Sequence, residues 1–137
     1  MKPATVIVSV PVTDLERTLR FYRDGLGLET PGVDGGIILI ELPNLSLFLI
    51  EQQEYARYAG LAGVPDAGQP VPGACIFSCA LASKAEVDHV MAQAARAGGS
   101  APGPAQDQDG SYIGYVRDPD GHLWELVANA RTEAAAK

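Results

Sequence analysis

Glu125 is the side chain best placed to do chemistry, a lone carboxylate set into the otherwise apolar run His122-Leu123-Trp124-Glu125-Leu126-Val127. Such a group can ligate a metal, take a proton or accept hydrogen bonds from a bound molecule, and its neighbours decide which. The preceding Asp118-Pro119-Asp120-Gly121 reads as a type I turn followed by a glycine bulge. Pro119 pre-sets φ, Asp118 can bond its own backbone and Gly121 tolerates φ > 0. The turn then joins two strands, Tyr112 to Arg117 and His122 to Val127. Alternation puts Leu123, Glu125 and Val127 on one face and His122, Trp124 and Leu126 on the other, so His122 and Glu125 cannot chelate one metal. With the bulge in place, Asp118 stands opposite His122 and Tyr115 opposite Glu125, with Arg117 diagonally adjacent. Tyr115 or Arg117 would then hydrogen-bond the carboxylate.

Other reactive types offer less. His89 lies beside Asp88 on a helix and is expected to face solvent. Cys75 and Cys79 are four apart in a strand, about 13 Å along it, too far for a disulfide or a shared metal, and read as two buried small hydrophobes. Gly25-Leu26-Gly27 follows a helix where a phosphate-binding loop would precede one. Neither histidine adjoins a reactive Ser or Cys, so no nucleophilic trio is legible.

The 137 residues suit one compact domain that buries roughly two-thirds of its unfolded surface. A net charge of −7 without a Lys/Arg cluster disfavours nucleic acid and anionic membrane surfaces as partners. No apolar run approaches the roughly 20 residues that span a bilayer, and no signal peptide is evident, so a cytoplasmic location is expected.

Behind these residues stands a repeat. Thr13-Asp14-Leu15-Glu16 and Ser83-Lys84-Ala85-Glu86 both fit the capping box, a hydroxyl at N-cap with Glu at N3. Each follows a strand, Val6 to Val10 and Ala74 to Ala80. The first helix carries Leu15, Leu19 and Tyr22 on one face and stops at Gly25 and Gly27; the second carries Val87, Val90, Met91 and Ala94 and ends at Gly98-Gly99. Strand-like runs follow, Gly36 to Leu42 and Leu45 to Glu51 in the first half, and the two strands around Glu125's turn in the second. The predicted organisation is a first module over about 5–52, a Gly/Pro/Ala-rich link over 53–72, a second module over about 73–129 and a frayed tail over 130–137. Within the link, Glu54 to Tyr58 suggests one helical turn.

Two segments carry a resemblance. Val10-Pro11-Val12-Thr13-Asp14-Leu15-Glu16-Arg17 with Phe21-Tyr22 and Gly25-Leu26-Gly27-Leu28 resembles the opening of vicinal oxygen chelate proteins. Asp118 to Leu126 resembles their ending, so the likeness spans about Val6 to Val127. That superfamily includes glyoxalase I, extradiol dioxygenases, fosfomycin-modifying enzymes and bleomycin-binding resistance proteins, and its fold underdetermines function. The resemblance implies an α+β fold in which two βαβββ modules form a curled mixed sheet around a cavity, with helices outside. It also implies pairing into a homodimer. Metal-dependent members take four ligands from their strands, and the flanking motifs place those positions at Ile7, Phe48, Ile76 and Glu125. Three of the four are apolar. One carboxylate is too few donors for a dedicated divalent site, so neither metal nor other cofactor is expected, with a divalent metal as the alternative.

On this placement Ile7, Ser9, Phe48, Ile76 and Ser78 share the cavity with Glu125, whereas Val6, Val8, Cys75, Phe77 and Trp124 pack beneath the helices. Tyr55 and Tyr58 in the link read as local packing on a short helix, with a lid over the cavity mouth as the alternative. The expected function is capture of a small organic ligand, as in the family's drug-sequestering branch, with the chain's acidity favouring a cationic one. The alternative is a lyase, isomerase or dioxygenase with Glu125 as metal ligand or catalytic base.

Overall fold

The computed structural model describes residues 1–136. It contains two mixed four-stranded sheets of identical connectivity, curled but not closed into one barrel. In the first module β1 (Ile7–Val12) leads into α1 (Leu15–Arg20), then β2 (Val33–Asp34), β3 (Ile37–Glu41) and β4 (Ser46–Glu51), in the order β1-β4-β3-β2. A ten-residue helix, α2 (Gln52–Leu61), opens the link. The second module repeats the scheme with β5 (Ile76–Ala80), α3 (Lys84–Arg96), β6 (Gln106–Gln108), β7 (Ser111–Arg117) and β8 (Leu123–Ala128), in the order β5-β8-β7-β6. First and last strands run parallel in each sheet, and the remaining pairs are antiparallel. Because β1 is an edge strand, Pro11 costs the ladder nothing on its open side.

Helix ends explain several differences from the sequence reading. Asp14, not Thr13, caps α1 by accepting from the Arg17 N–H. Thr13 is diverted, its hydroxyl donating to Asp120 at 2.6 Å in the other module. The second cap holds as expected, with Ser83 accepting from the Glu86 N–H and a left-handed Gly98 ending α3. After α1 the chain makes one π-helical turn, Phe21–Gly25, before the left-handed Gly27. Where one helical turn was expected in the link, α2 runs much longer, because Glu51 receives the N–H groups of Gln53 and Glu54. The tail is likewise helical over Ala130–Ala135 (α4), started by a full Asn129–Thr132 capping box, with Lys137 outside the described residues.

The core forms where the helices cover the sheet faces opposite Phe48 and Glu125. Ile38, Ile40, Leu47 and Leu49 from one sheet and Val116, Trp124, Leu126 and Ala128 from the other join Phe21, Tyr22, Val87 and Ala94 in one buried cluster. Each large side chain buried this way contributes roughly 1.5–3 kcal/mol. Phe77 packs on Trp124 with ring centroids 4.8 Å apart, and Val8 is half-buried, as alternation predicts. Val6 and Cys75, expected beneath the helices, are instead exposed because both precede the first paired residue of their strand. Cys79 is half-buried, and both cysteines are free thiols.

A buried polar knot ties the modules together at the turn that precedes Glu125. Asp118, 3 % exposed, accepts from the N–H groups of Asp120 and His122 and from the Tyr22 hydroxyl at 2.8 Å. The Trp124 indole donates to that hydroxyl at 3.2 Å. His122 is buried on the core face and bonds the Pro11 carbonyl through Nε2 at 2.7 Å, which requires the proton on that nitrogen. His89 is exposed, as expected.

Candidate functional site

The expected turn is present: Gly121 N–H bonds the Asp118 carbonyl, Gly121 has φ +90, and the Asp118 N–H bonds the His122 carbonyl. One bulged residue then fixes the register of everything beyond it. Tyr115 pairs with Glu125 on β8, and Glu125 with Ser78 on the parallel neighbour β5, so the three side chains stand in one row across the concave face. The row is bonded throughout. Tyr115 donates to Glu125 Oε2 at 2.7 Å and Ser78 donates to Oε1 at 3.0 Å. The bond to the carboxylate, reinforced by partial burial and by the carboxylate's charge, raises the Tyr115 phenol above its ordinary range, so it remains a donor at neutral pH. Arg117, the other expected partner, does not reach Glu125. It stands one row further along, opposite Leu123, which in turn faces Ile76.

The first module repeats this pattern with different chemistry. Ser9 pairs with Phe48 and Phe48 with Leu39, so Phe48 occupies in sheet one the place of Glu125 in sheet two, and Ser9 that of Ser78. Ser9 and Phe48 line a pocket of about 420 Å³ with Ile37, Ile50, Tyr55, Tyr58 and Ala59. Tyr55 and Tyr58 are therefore walls of this pocket contributed by α2. A second pocket, about 350 Å³, opens beside Tyr115, between Ile113, the Gln106 and Gln108 side chains of β6 and the Pro102–Pro104 loop. The expected ligand set is drawn from both modules. Ser9 and Phe48 belong to one module's concave face and Ser78, Tyr115 and Glu125 to the other's, while Ile7 and Ile76 sit at the open strand starts, 47% and 54% exposed.

Gln106, Gln108 and the proline loop were not legible as site residues. A three-residue Gln-Asp-Gln strand has no apolar alternation to announce it. Ile37 and Ile50 were detectable in principle, since alternation on β3 and β4 puts them on the face of Phe48. For coordination chemistry, no three His, Cys, Asp or Glu side chains converge among the described residues, and the immediate partners of Glu125 are hydroxyls.

The comparisons agree with this architecture. A solved glyoxalase-related enzyme from Fulvimarina pelagi shares 27% identity with a TM-score of 0.79, covering 93% of this chain and 89% of the other. Lactoylglutathione lyase from Agrobacterium tumefaciens shares 27% identity with a TM-score of 0.65, covering 93% and 95%. A glyoxalase/bleomycin resistance protein/dioxygenase from Nocardioides, at 24% identity and TM-score 0.71 over 94% and 85%, shares the fold. No curated protein matches the chain. The family model of the Glyoxalase/Bleomycin resistance protein/Dioxygenase superfamily matches residues 5–126, and the chain belongs to that family.

Proposed function

We propose that this protein binds a small organic ligand on the concave face of its second module, with Glu125 as the polar anchor and without the family's metal. The observation that carries this reading is the clamped carboxylate: Tyr115 and Ser78 each give Glu125 one hydrogen bond. Each carboxylate oxygen has a further lone pair, so the clamp fixes the group while leaving acceptors for a ligand N–H or O–H. An ammonium, amidinium or hydroxyl end is what such a site receives, and the net charge of −7 draws cations toward it. The pocket beside Tyr115 adds open space next to the anchor. Against the metal stand the donors themselves. Of the four positions that the family resemblance assigns to ligands, Ile7, Phe48 and Ile76 offer none.

A homodimer is part of the same reading. The family resemblance implies pairing into a homodimer, and Ile7 and Ile76 at the strand starts, 47% and 54% exposed, offer apolar surface to a second copy. Light scattering of the eluting protein tests this, and a monomer at micromolar concentration would refute it. A cytoplasmic setting suits two free thiols, one of them exposed.

Isothermal titration with a panel of cationic compounds, a bleomycin-type glycopeptide among them, tests the binding reading. We expect at least one to bind and Glu125→Gln to weaken it about tenfold or more, the worth of a charge-assisted hydrogen bond. Binding that is indifferent to Glu125, or turnover of a substrate that Glu125→Gln abolishes, would replace this reading, the latter with the lyase or isomerase alternative.

A further inference from the structure

We propose that Arg117 is a second anchor, for an anionic group, so that the ligand carries a carboxylate or similar anion about one strand row from its donor end; this rests on the reading of Glu125 as anchor. Arg117 shares its strand face with Tyr115 and Ile113, because β7 alternates, and its row continues through Leu123 to Ile76 on the concave side. Of the nine described Lys and Arg side chains, four are neutralised, Arg17 by Asp120, Arg23 by Asp24, Arg57 by Glu54 and Lys84 by Asp107; of the five without an ion pair, Lys2, Arg20, Arg96, Arg117 and Arg131, only Arg117 lies on a strand. Arg117 enters none of these pairs, and no side-chain hydrogen bond of the described residues uses its guanidinium. Arg117 has no acidic partner among the described residues. This guanidinium is left without one on the same face as the clamped carboxylate.

The two anchors are chemically opposite. Glu125 accepts and Arg117 donates, with a planar fork of N–H groups that matches a carboxylate or phosphate. Leu123 adjoins both, opposite Arg117 and two residues from Glu125 on β8, and beyond it on β5 stands Ile76, 54% exposed. Rows two residues apart on a strand are about 7 Å apart. A zwitterion with an ammonium and an anion separated by a short hydrophobic spacer fits that pattern; a simple cation fills half of it.

Nuclear magnetic resonance titrations of the intact protein with 4-aminomethylbenzoate, benzylamine and benzoate test the proposal. We expect 4-aminomethylbenzoate to bind about tenfold more tightly than benzylamine, Arg117→Gln to bring it down to benzylamine's affinity, and Arg117→Lys to restore part of the difference. Amide shifts should map to Arg117, Leu123 and Glu125. An equal affinity for the zwitterion and benzylamine, or a preference that survives Arg117→Gln, overturns the second anchor. Benzylamine binding that ignores Glu125→Gln while benzoate still needs Arg117 removes the Glu125 reading and keeps the anion site. Failure of all three probes to move any of these amides at millimolar concentration overturns both.

Discussion

Replacing Asp118 by alanine tests whether the turn that positions Glu125 is also what holds the two modules together. The carboxylate is 3 % exposed and takes three hydrogen bonds, from the Asp120 N–H at 2.9 Å, the His122 N–H at 2.8 Å and the Tyr22 hydroxyl at 2.8 Å. A hydrogen bond to a charged group is worth about 1.5–3 kcal/mol, and each buried donor left behind costs about 1–3 kcal/mol. Part of that sum is offset, because the variant no longer buries a carboxylate. The Asp120 N–H can also turn to water. A net loss of about 3 kcal/mol remains, a large share of the 5–15 kcal/mol that typical domains possess. At a urea slope near 1.5–2 kcal/mol/M the unfolding midpoint should fall by about 1.5–2 M. Equilibrium urea unfolding followed by Trp124 fluorescence reads this directly, since the indole bonds the same Tyr22 hydroxyl. A shift below about 0.3 M would show that the knot is dispensable, and the account of how the modules are joined would be wrong.

Two further outcomes follow from the same geometry. Burial raises the Asp118 carboxyl above the usual carboxylate range, while His122, the Tyr22 bond and the backbone N–H groups pull it back only in part. The native state then holds that proton more tightly than the unfolded chain, so the stability it adds is complete below the ordinary carboxylate value and is lost as pH rises through the raised one. Asp118→Asn cannot ionise, so its stability deficit should be larger at pH 4 than at pH 7; a deficit that grows with pH contradicts this. For the site itself, a double-mutant cycle on Tyr115→Phe and Glu125→Gln should give a coupling of about 1 kcal/mol in unfolding free energy, less than the about 1.5–3 kcal/mol of a charged hydrogen bond because solvent screens a half-exposed one. Independent, additive effects would mean that the 2.7 Å bond does not hold in solution.

The sequence announced this site through local rules that have one solution. Pro119 and Gly121 fix a bulged turn, the bulge fixes the register, and the register brings Tyr115 to Glu125. Ser83 was legible as a cap for the same reason, a hydroxyl three residues ahead of its glutamate. Thr13 failed that rule because Asp14 beside it is an equally good cap and Asp120, more than a hundred residues away in sequence, competes for the threonine hydroxyl. Glu51 was missed as a cap since glutamate seldom serves as one, and α2 was read too short in consequence. Strand alternation assigns a side chain to a face but does not say which faces oppose each other. Phe48 and Glu125 were expected to face one cavity, and the register gives them equivalent positions on the two sheets, as a repeated module requires. Arg117 was given to the carboxylate on diagonal proximity, a contact that strand register permits but does not enforce.

The central claim is that Glu125, clamped by two hydroxyls, anchors a ligand through hydrogen bonds instead of serving a metal. Its most direct test is elemental analysis of the purified protein and of Glu125→Gln after equilibration with nickel, zinc, iron and manganese ions. Far less than one ion per chain is expected in both proteins. One tightly held ion per chain in the parent, absent from Glu125→Gln, would contradict it.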